Sequence, residues 1–205
     1  MDSRLVLKSI WTMVVIGLFG GIAASHTQAA ESFKVDNTHS TVFFRIKHMG
    51  VSYVYARFNE VTGSFTIDDA DAGKSSFNIE IKTASIDSGA SNRDRHLKGP
   101  DFFDVKQFPV ATFKSDSVKK LGTDRYEVSG QFTLHGVTRP LKAEVHHVGT
   151  GTGQRGGTIS GFESTFTIKR SEFDMNFMIG PDKLSDEVRI TLSIEGFHRG
   201  ERSSN

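Results

Sequence analysis

Phe162-Glu163-Ser164-Thr165-Phe166-Thr167-Ile168-Lys169 alternates with a period of two residues. Phe162, Ser164, Phe166 and Ile168 fall on one side, and Glu163, Thr165, Thr167 and Lys169 on the other. Such alternation marks a strand with one face in a core and the other in water. Val188, Ile190, Leu192 and Ile194 repeat the pattern against Arg189, Thr191, Ser193 and Glu195. Working outward, it recurs around Val42, Phe44 and Ile46, around Phe65 and Ile67, and around Phe77, Ile79 and Ile81. Ala111 and Phe113, then Val128, Gly130, Phe132 and Leu134, then Leu141, Ala143 and Val145 complete the series. About eight strands result, with turn chemistry at 68–73, 122–124 and 149–157. Helical spacing is confined to short pieces, expected at Ser91–Leu97 and Ser171–Met175. Many antiparallel strands at short spacing describe an all-β domain, either a sandwich or an up-and-down barrel.

The chain has 205 residues, of which 37% are hydrophobic and 24% charged, a globular balance. The formal net charge of +1 leaves no basic footprint for nucleic acid. With no cysteine, disulfide scaffolds, thiol catalysis and cysteine-based zinc sites are excluded.

Residues 1–30 read as a cleaved secretory signal. Arg4 and Lys8 precede an uncharged stretch from Ile10 to Ala24, followed by small residues up to Ala29 and Ala30. The apolar stretch is short of the ~20 residues of a spanning helix, and no later stretch reaches that length. Cleavage removes Asp2, Arg4 and Lys8, leaving acidic and basic residues in equal number. The expected organisation is one exported domain over 31–199 and a polar tail over 200–205.

Several motif spellings fail on context. Gly151-Thr152-Gly153-Gln154-Arg155-Gly156 matches G-x-G-x-x-G, but no helix follows to present its N–H groups to a phosphate. Gly73-Lys74-Ser75 lacks the strand-loop-helix frame of a P-loop. In the acidic run Asp68, Asp69 and Asp71, Ala70 and Ala72 stand where calcium ligands belong. His39, His96 and His135 sit at strand ends or connections, where a shared rim would let them form a zinc site with Asp94 or Asp101. The ordinary reading, favoured without paired-ligand spacing, has each imidazole bond a nearby carbonyl. His146 and His147 point to opposite faces of a strand.

All but Phe19 of the 17 phenylalanines fall in the exported part. From the residues alone they fit either a dense aromatic core or an apolar channel.

A set of segments in fixed order carries a family resemblance. They are Val35-Asp36-Asn37-Thr38-His39-Ser40, Asn92-Arg93-Asp94-Arg95-His96-Leu97 with Pro100-Asp101-Phe102-Phe103-Asp104, and Phe108-Pro109-Val110-Ala111-Thr112-Phe113-Lys114-Ser115. Phe132-Thr133-Leu134-His135-Gly136-Val137-Thr138, Lys169-Arg170-Ser171-Glu172-Phe173-Asp174-Met175 and Ser185-Asp186-Glu187-Val188 complete it. Over nearly all of residues 33–197 the chain resembles the YceI-like family of exported polyisoprenoid-binding proteins. It departs at Ser88, where threonine is expected, and at Tyr55-Ala56, where a glycine is common.

The resemblance implies an extended antiparallel eight-stranded lipocalin-like β-barrel with an apolar central channel and one or two short helices. It implies a bacterial periplasmic protein, a long-chain isoprenoid ligand such as a polyprenyl phosphate or quinone tail, and no catalytic activity or cofactor. It turns the phenylalanines from a filled core into a channel wall. Expected tail contacts are Phe44, Phe65, Phe77, Phe113, Phe132, Phe166 and Met175, and expected head-group contacts are His39, His96 and Arg170. Met178 adds a second flexible thioether for a branched chain. Phe102-Phe103 is expected to anchor its loop to the barrel rather than act as a lid. The competing enzymatic reading is a hydrolase or isomerase of such a lipid, using the histidines with Asp94 or Asp101. A third is a structural or stress protein with a filled core. Exposed strand edges leave a homodimer open.

Overall fold

Alternating strands can hide their apolar faces by curling one sheet until its first and last strands meet. The computed structural model, which describes residues 30–154 and 156–199, does this. Its strands are β1 (Glu31–Val35), β2 (Thr41–His48), β3 (Ser52–Phe58), β4 (Val61–Ile67), β5 (Ser76–Lys82) and β6 (Ile86–Asp87). A helix, α1 (Ser91–Leu97), leads to β7 (Val110–Lys120), β8 (Arg125–Leu134), β9 (Val137–Thr152), β10 (Thr158–Lys169) and β11 (Leu184–His198). The ring runs β1-β4-β5-β7-β8-β9-β10-β11, and β11 closes onto β1 through Lys34↔Phe197 and Val35↔Gly196. It is an eight-stranded antiparallel barrel.

The remaining three strands prolong staves of this ring past interruptions. β2 continues β1 along the same edge of β11, from Thr41↔Ser193 to Leu184↔His48. β3 pairs with β2 and leads into β4, while β6 follows β5 and pairs with β3 at Arg57↔Asp87. The three interruptions lie side by side and are cross-tied. Asn37 Oδ1 accepts from the Val61 N–H at 2.6 Å, Ser85 Oγ from the Glu60 N–H at 3.1 Å, and the Pro109 carbonyl from the Thr83 N–H at 3.0 Å. Each break thus finds partners for backbone groups that a ladder would otherwise satisfy.

Below this belt the barrel is filled. Phe65 stacks on Phe33 with ring centroids 5.0 Å apart, and meets Phe162 at 5.2 Å and Phe77 at 5.8 Å. Phe65 is 1% exposed, so these rings plug the lower end. Gly196 makes the plug fit: a Cβ there would run into the Phe65 ring.

The expected helix at Ser91–Leu97 is present, and the second expected helix is a 3-10 turn at Arg170–Phe173. The long 149–157 loop is corrected. β9 runs on to Thr152, pairing Gly149↔Gly161, Thr150↔Ser160 and Gly151↔Ile159, and β10 begins at Thr158. Backbone ladders need no side chains, so glycine and threonine do not stop this hairpin. The strands at 31–35, 52–58 and 86–87 add to the expected set. The expected signal segment, apart from Ala30, and the tail at 200–205 lie outside the described residues. Among the described residues no helix is long and apolar enough to cross a membrane.

Candidate functional site

Above the aromatic plug the inward faces enclose a cavity of about 350 Å³. Alternate residues of β2, β5, β7, β8, β9, β10 and β11 face it, as pleating requires. β11 follows it from Leu184 to Ile194, about 33 Å of strand at ~3.3 Å per residue. At the usual barrel tilt, that is a depth of roughly 25 Å. The wall is overwhelmingly hydrocarbon and aromatic.

Of the expected tail contacts, Phe44, Phe77, Phe113, Phe132, Phe166 and Met175 stand on this wall. Phe65 does not: it faces inward but belongs to the plug beneath the cavity floor. β3 adds Val54, Ala56 and Phe58, and the segment before β11 adds Phe177 and Met178. Phe103 meets Phe58 at 5.3 Å and Phe44 at 6.1 Å, so it anchors its loop across the barrel. Phe102 and Phe103 are both buried and both line the cavity.

The upper end is the mouth, where wall residues reach solvent. Exposed His48, Arg93, His96 and Met178 line it. His96 Nε2 lies 2.8 Å from Asp101 Oδ2, and its ring centroid lies 5.0 Å from Phe102 and 5.4 Å from Phe177. On α1, Arg93 donates through Nε to Ser88 Oγ at 2.9 Å, while Asp94 accepts from the Ser88 N–H at 2.8 Å. These bonds hold the helix against the strand ends, since Ala90 provides no side-chain cap.

Arg170 is buried on the wall, 2% exposed. Its Nε donates to the Ser185 carbonyl at 3.0 Å, and its Nη1 to the carbonyls of Met175 at 2.9 Å and Phe177 at 2.7 Å. Nη2 is buried and has no hydrogen-bond partner among the described residues. Burial pushes the guanidinium below its usual value, against the pull of the Asp186 carboxylate. Asp186 itself accepts from the Ser171 N–H at 2.8 Å and its hydroxyl at 2.7 Å. Arg170 therefore positions the backbone that carries Met175 and Phe177 into the cavity.

His39 stands apart from His96 and Arg170. It sits at the break between β1 and β2, off the cavity wall, with its Nδ1 2.9 Å from Asp36 Oδ2 and 3.6 Å from Glu195 Oε1. The hydrogen bond to Asp36 raises the His39 pKa and lowers that of Asp36. The alternative in which His39, His96 and His135 share one rim as a zinc site is not met: among the described residues the three do not come together at metal-ligand spacing. His135 bonds the Phe173 carbonyl at 3.1 Å and packs on Phe108, with centroids 4.4 Å apart. Among the described residues, the side chains at metal-ligand spacing are Asp36, His39 and Glu195, within 4.8 Å of one another. Both carboxylates approach the same imidazole nitrogen, the arrangement of a bridged ion pair.

Comparison with known proteins agrees with this geometry. The YceI-like domain matches residues 33–196. A UPF0312 protein of Yersinia pestis is 40% identical over 187 residues, covering 90% of this chain and 96% of the relative. The crystal structure of Burkholderia cenocepacia BcnA superposes with a TM-score of 0.69 at 28% identity, covering 78% of this chain and 98% of that one. A polyisoprenoid binding domain from Saccharophagus degradans, implicated in plant cell wall breakdown, shares the fold with a TM-score of 0.62 at 16% identity. It covers 83% of this chain and 100% of that one. The matched span contains every residue on the cavity wall, and the chain belongs to the YceI-like family.

Proposed function

We propose that the protein is a periplasmic binding protein that holds the tail of a long-chain polyisoprenoid lipid in its barrel, for carriage, storage or stress protection and without catalysis. The observation that carries this reading is the deep apolar cavity, closed below by Phe77 and Phe162 over the aromatic plug and open beside α1. A fold relative is itself a polyisoprenoid-binding domain. Residues 1–30, with their basic start and small-residue end, support export.

The energetics follow from the wall. Each buried CH₂-sized unit contributes about 0.8 kcal/mol, so several isoprene units exceed the several kcal/mol lost on association. Phenylalanine faces suit the planar, branched units, and the thioethers of Met175 and Met178 adapt to them. The head, a phosphate or a quinone, stays at the mouth. Arg93 and His96 supply donors to its oxygens there, and Arg170 holds the wall behind them.

Native mass spectrometry of the purified protein, with organic extraction of whatever is released, tests the proposal. A stoichiometric polyprenyl species is the expected result. An empty protein that also refuses added polyprenyl lipid overturns it.

A further inference from the structure

Among the described residues, the exposed large apolar side chains are Phe43, Met49, Val51, Tyr53, Tyr55, Leu121, Val148 and Met178. All but Leu121 and Val148 lie on the β2–β3 hairpin or in the turn bonded to its tip. The tip and that turn are one unit. The Met49 N–H donates to the Lys183 carbonyl at 2.6 Å, and the Leu184 N–H to the Met178 carbonyl at 3.0 Å. This unit forms one side of the cavity mouth, since His48, Met178 and Leu184 all line the cavity. Val51, 84% exposed, is the most prominent of the set.

The surrounding charge has one dominant sign. Lys47, Lys183, Arg93 and Arg95 are exposed around the mouth and form no ion pair among the described residues. The Arg45 guanidinium lies over the Tyr53 ring, 4.2 Å from its centroid. Opposing them, Asp101 is engaged by His96 and Asp94 by Ser88, and in the turn Asp182 carries a carboxylate with no ion pair among the described residues. Apolar tips, flanking tyrosines and a basic collar are what a protein presents when it sits on an anionic bilayer. Here the patch is continuous with an apolar cavity, and an isoprenoid chain cannot cross open water to reach it.

We propose that the β2–β3 tip with Met178 docks the cavity mouth onto an anionic lipid bilayer, so that the ligand passes between membrane and barrel without entering water. This rests on the lipid-binding reading above. Met49, Val51 and Met178 enter the headgroup boundary. Tyr53 and Tyr55 lie at its level, and Lys47, Lys183 and Arg93 meet the lipid phosphates.

The test is co-sedimentation of the purified protein with vesicles of phosphatidylethanolamine and phosphatidylglycerol, against vesicles of phosphatidylcholine. The expected result is binding to the anionic vesicles that weakens with salt and falls about tenfold in Val51→Asp. Leu121→Ser, at the far end of the barrel, leaves it unchanged. The docking proposal is overturned if the wild type ignores anionic vesicles or if Val51→Asp binds them as well as wild type. It is equally overturned if Val51→Asp splits a dimer while vesicle binding persists, which makes the patch a contact between copies. Loading with polyprenyl lipid from detergent is measured in parallel. A protein that loads but does not dock defeats this inference alone, and one that does not load defeats the lipid-binding reading.

Discussion

Nη1 of Arg170 lies 2.7 Å from the carbonyl oxygen of Phe177, and the same guanidinium holds the carbonyls of Met175 and Ser185. Two backbone acceptors from the irregular segment between the 3-10 turn and β11, and a third at the start of β11, thus depend on one buried cation. Arg170→Met keeps the bulk and strands those acceptors, so a loss of about 3 kcal/mol in urea unfolding is expected. Arg170→Lys should rescue little, because a point charge cannot span three carbonyls. A loss below about 0.5 kcal/mol in Arg170→Met would mean that the segment holds itself in place.

Gly196 and Phe65 form a second dependent pair. Gly196→Ala pushes a methyl group into the Phe65 ring and is expected to cost about 1–3 kcal/mol. Adding Phe65→Leu should return part of that cost. A double-mutant cycle with no coupling between the two would contradict the packing described.

Ala143 is a small residue on the cavity wall. Ala143→Phe fills space instead of removing contacts, so the melting temperature should hold or rise. Polyprenyl lipid uptake should fall by about tenfold or more, equivalent to 1.4 kcal/mol. Unchanged uptake would place the ligand elsewhere.

His39 and Asp36 give a pH signature. Asp36, through its hydrogen bond, raises the His39 pKa above the ordinary 6.5. That contribution to stability is therefore full below pH 6.5 and is lost as pH rises through the folded value. The Asp36 pKa is lowered from 3.8, chiefly by the same bond, so its share is present above pH 3.8 and is lost as pH falls through the folded value. The pair works best between those limits. In an NMR titration, Asp36→Asn should lower the His39 midpoint, and an unmoved midpoint would refute the pairing.

Much of this architecture is written in local alternation. Phe162 to Lys169 and Val188 to Glu195 show their inward faces directly, because one side meets hydrocarbon and the other water. β3 escaped that reading because Tyr53 and Tyr55 face outward while Val54, Ala56 and Phe58 face inward, so apolar residues fill both sides. β6 is two residues long, too short for any period. The place of Phe65 was not legible either. Period two assigns a face, but only the closure of β1 on β11 decides which end of the barrel is filled. His39 and His96 look alike as strand-end histidines, and three-dimensional placement alone separates the outer wall from the mouth.

The belt of cross-tied interruptions divides the barrel into tiers of unequal resistance to opening. The lower ring is closed all round, so its amides should exchange with solvent only when the whole domain unfolds. The upper tier has no such closure. β6 ends the strand order with β3 as its one strand partner among the described residues, so this open edge can separate at a lower free energy and exchange sooner. In the lipid-binding reading proposed above, the weaker half is where a bulky chain would enter while the lower half stays folded.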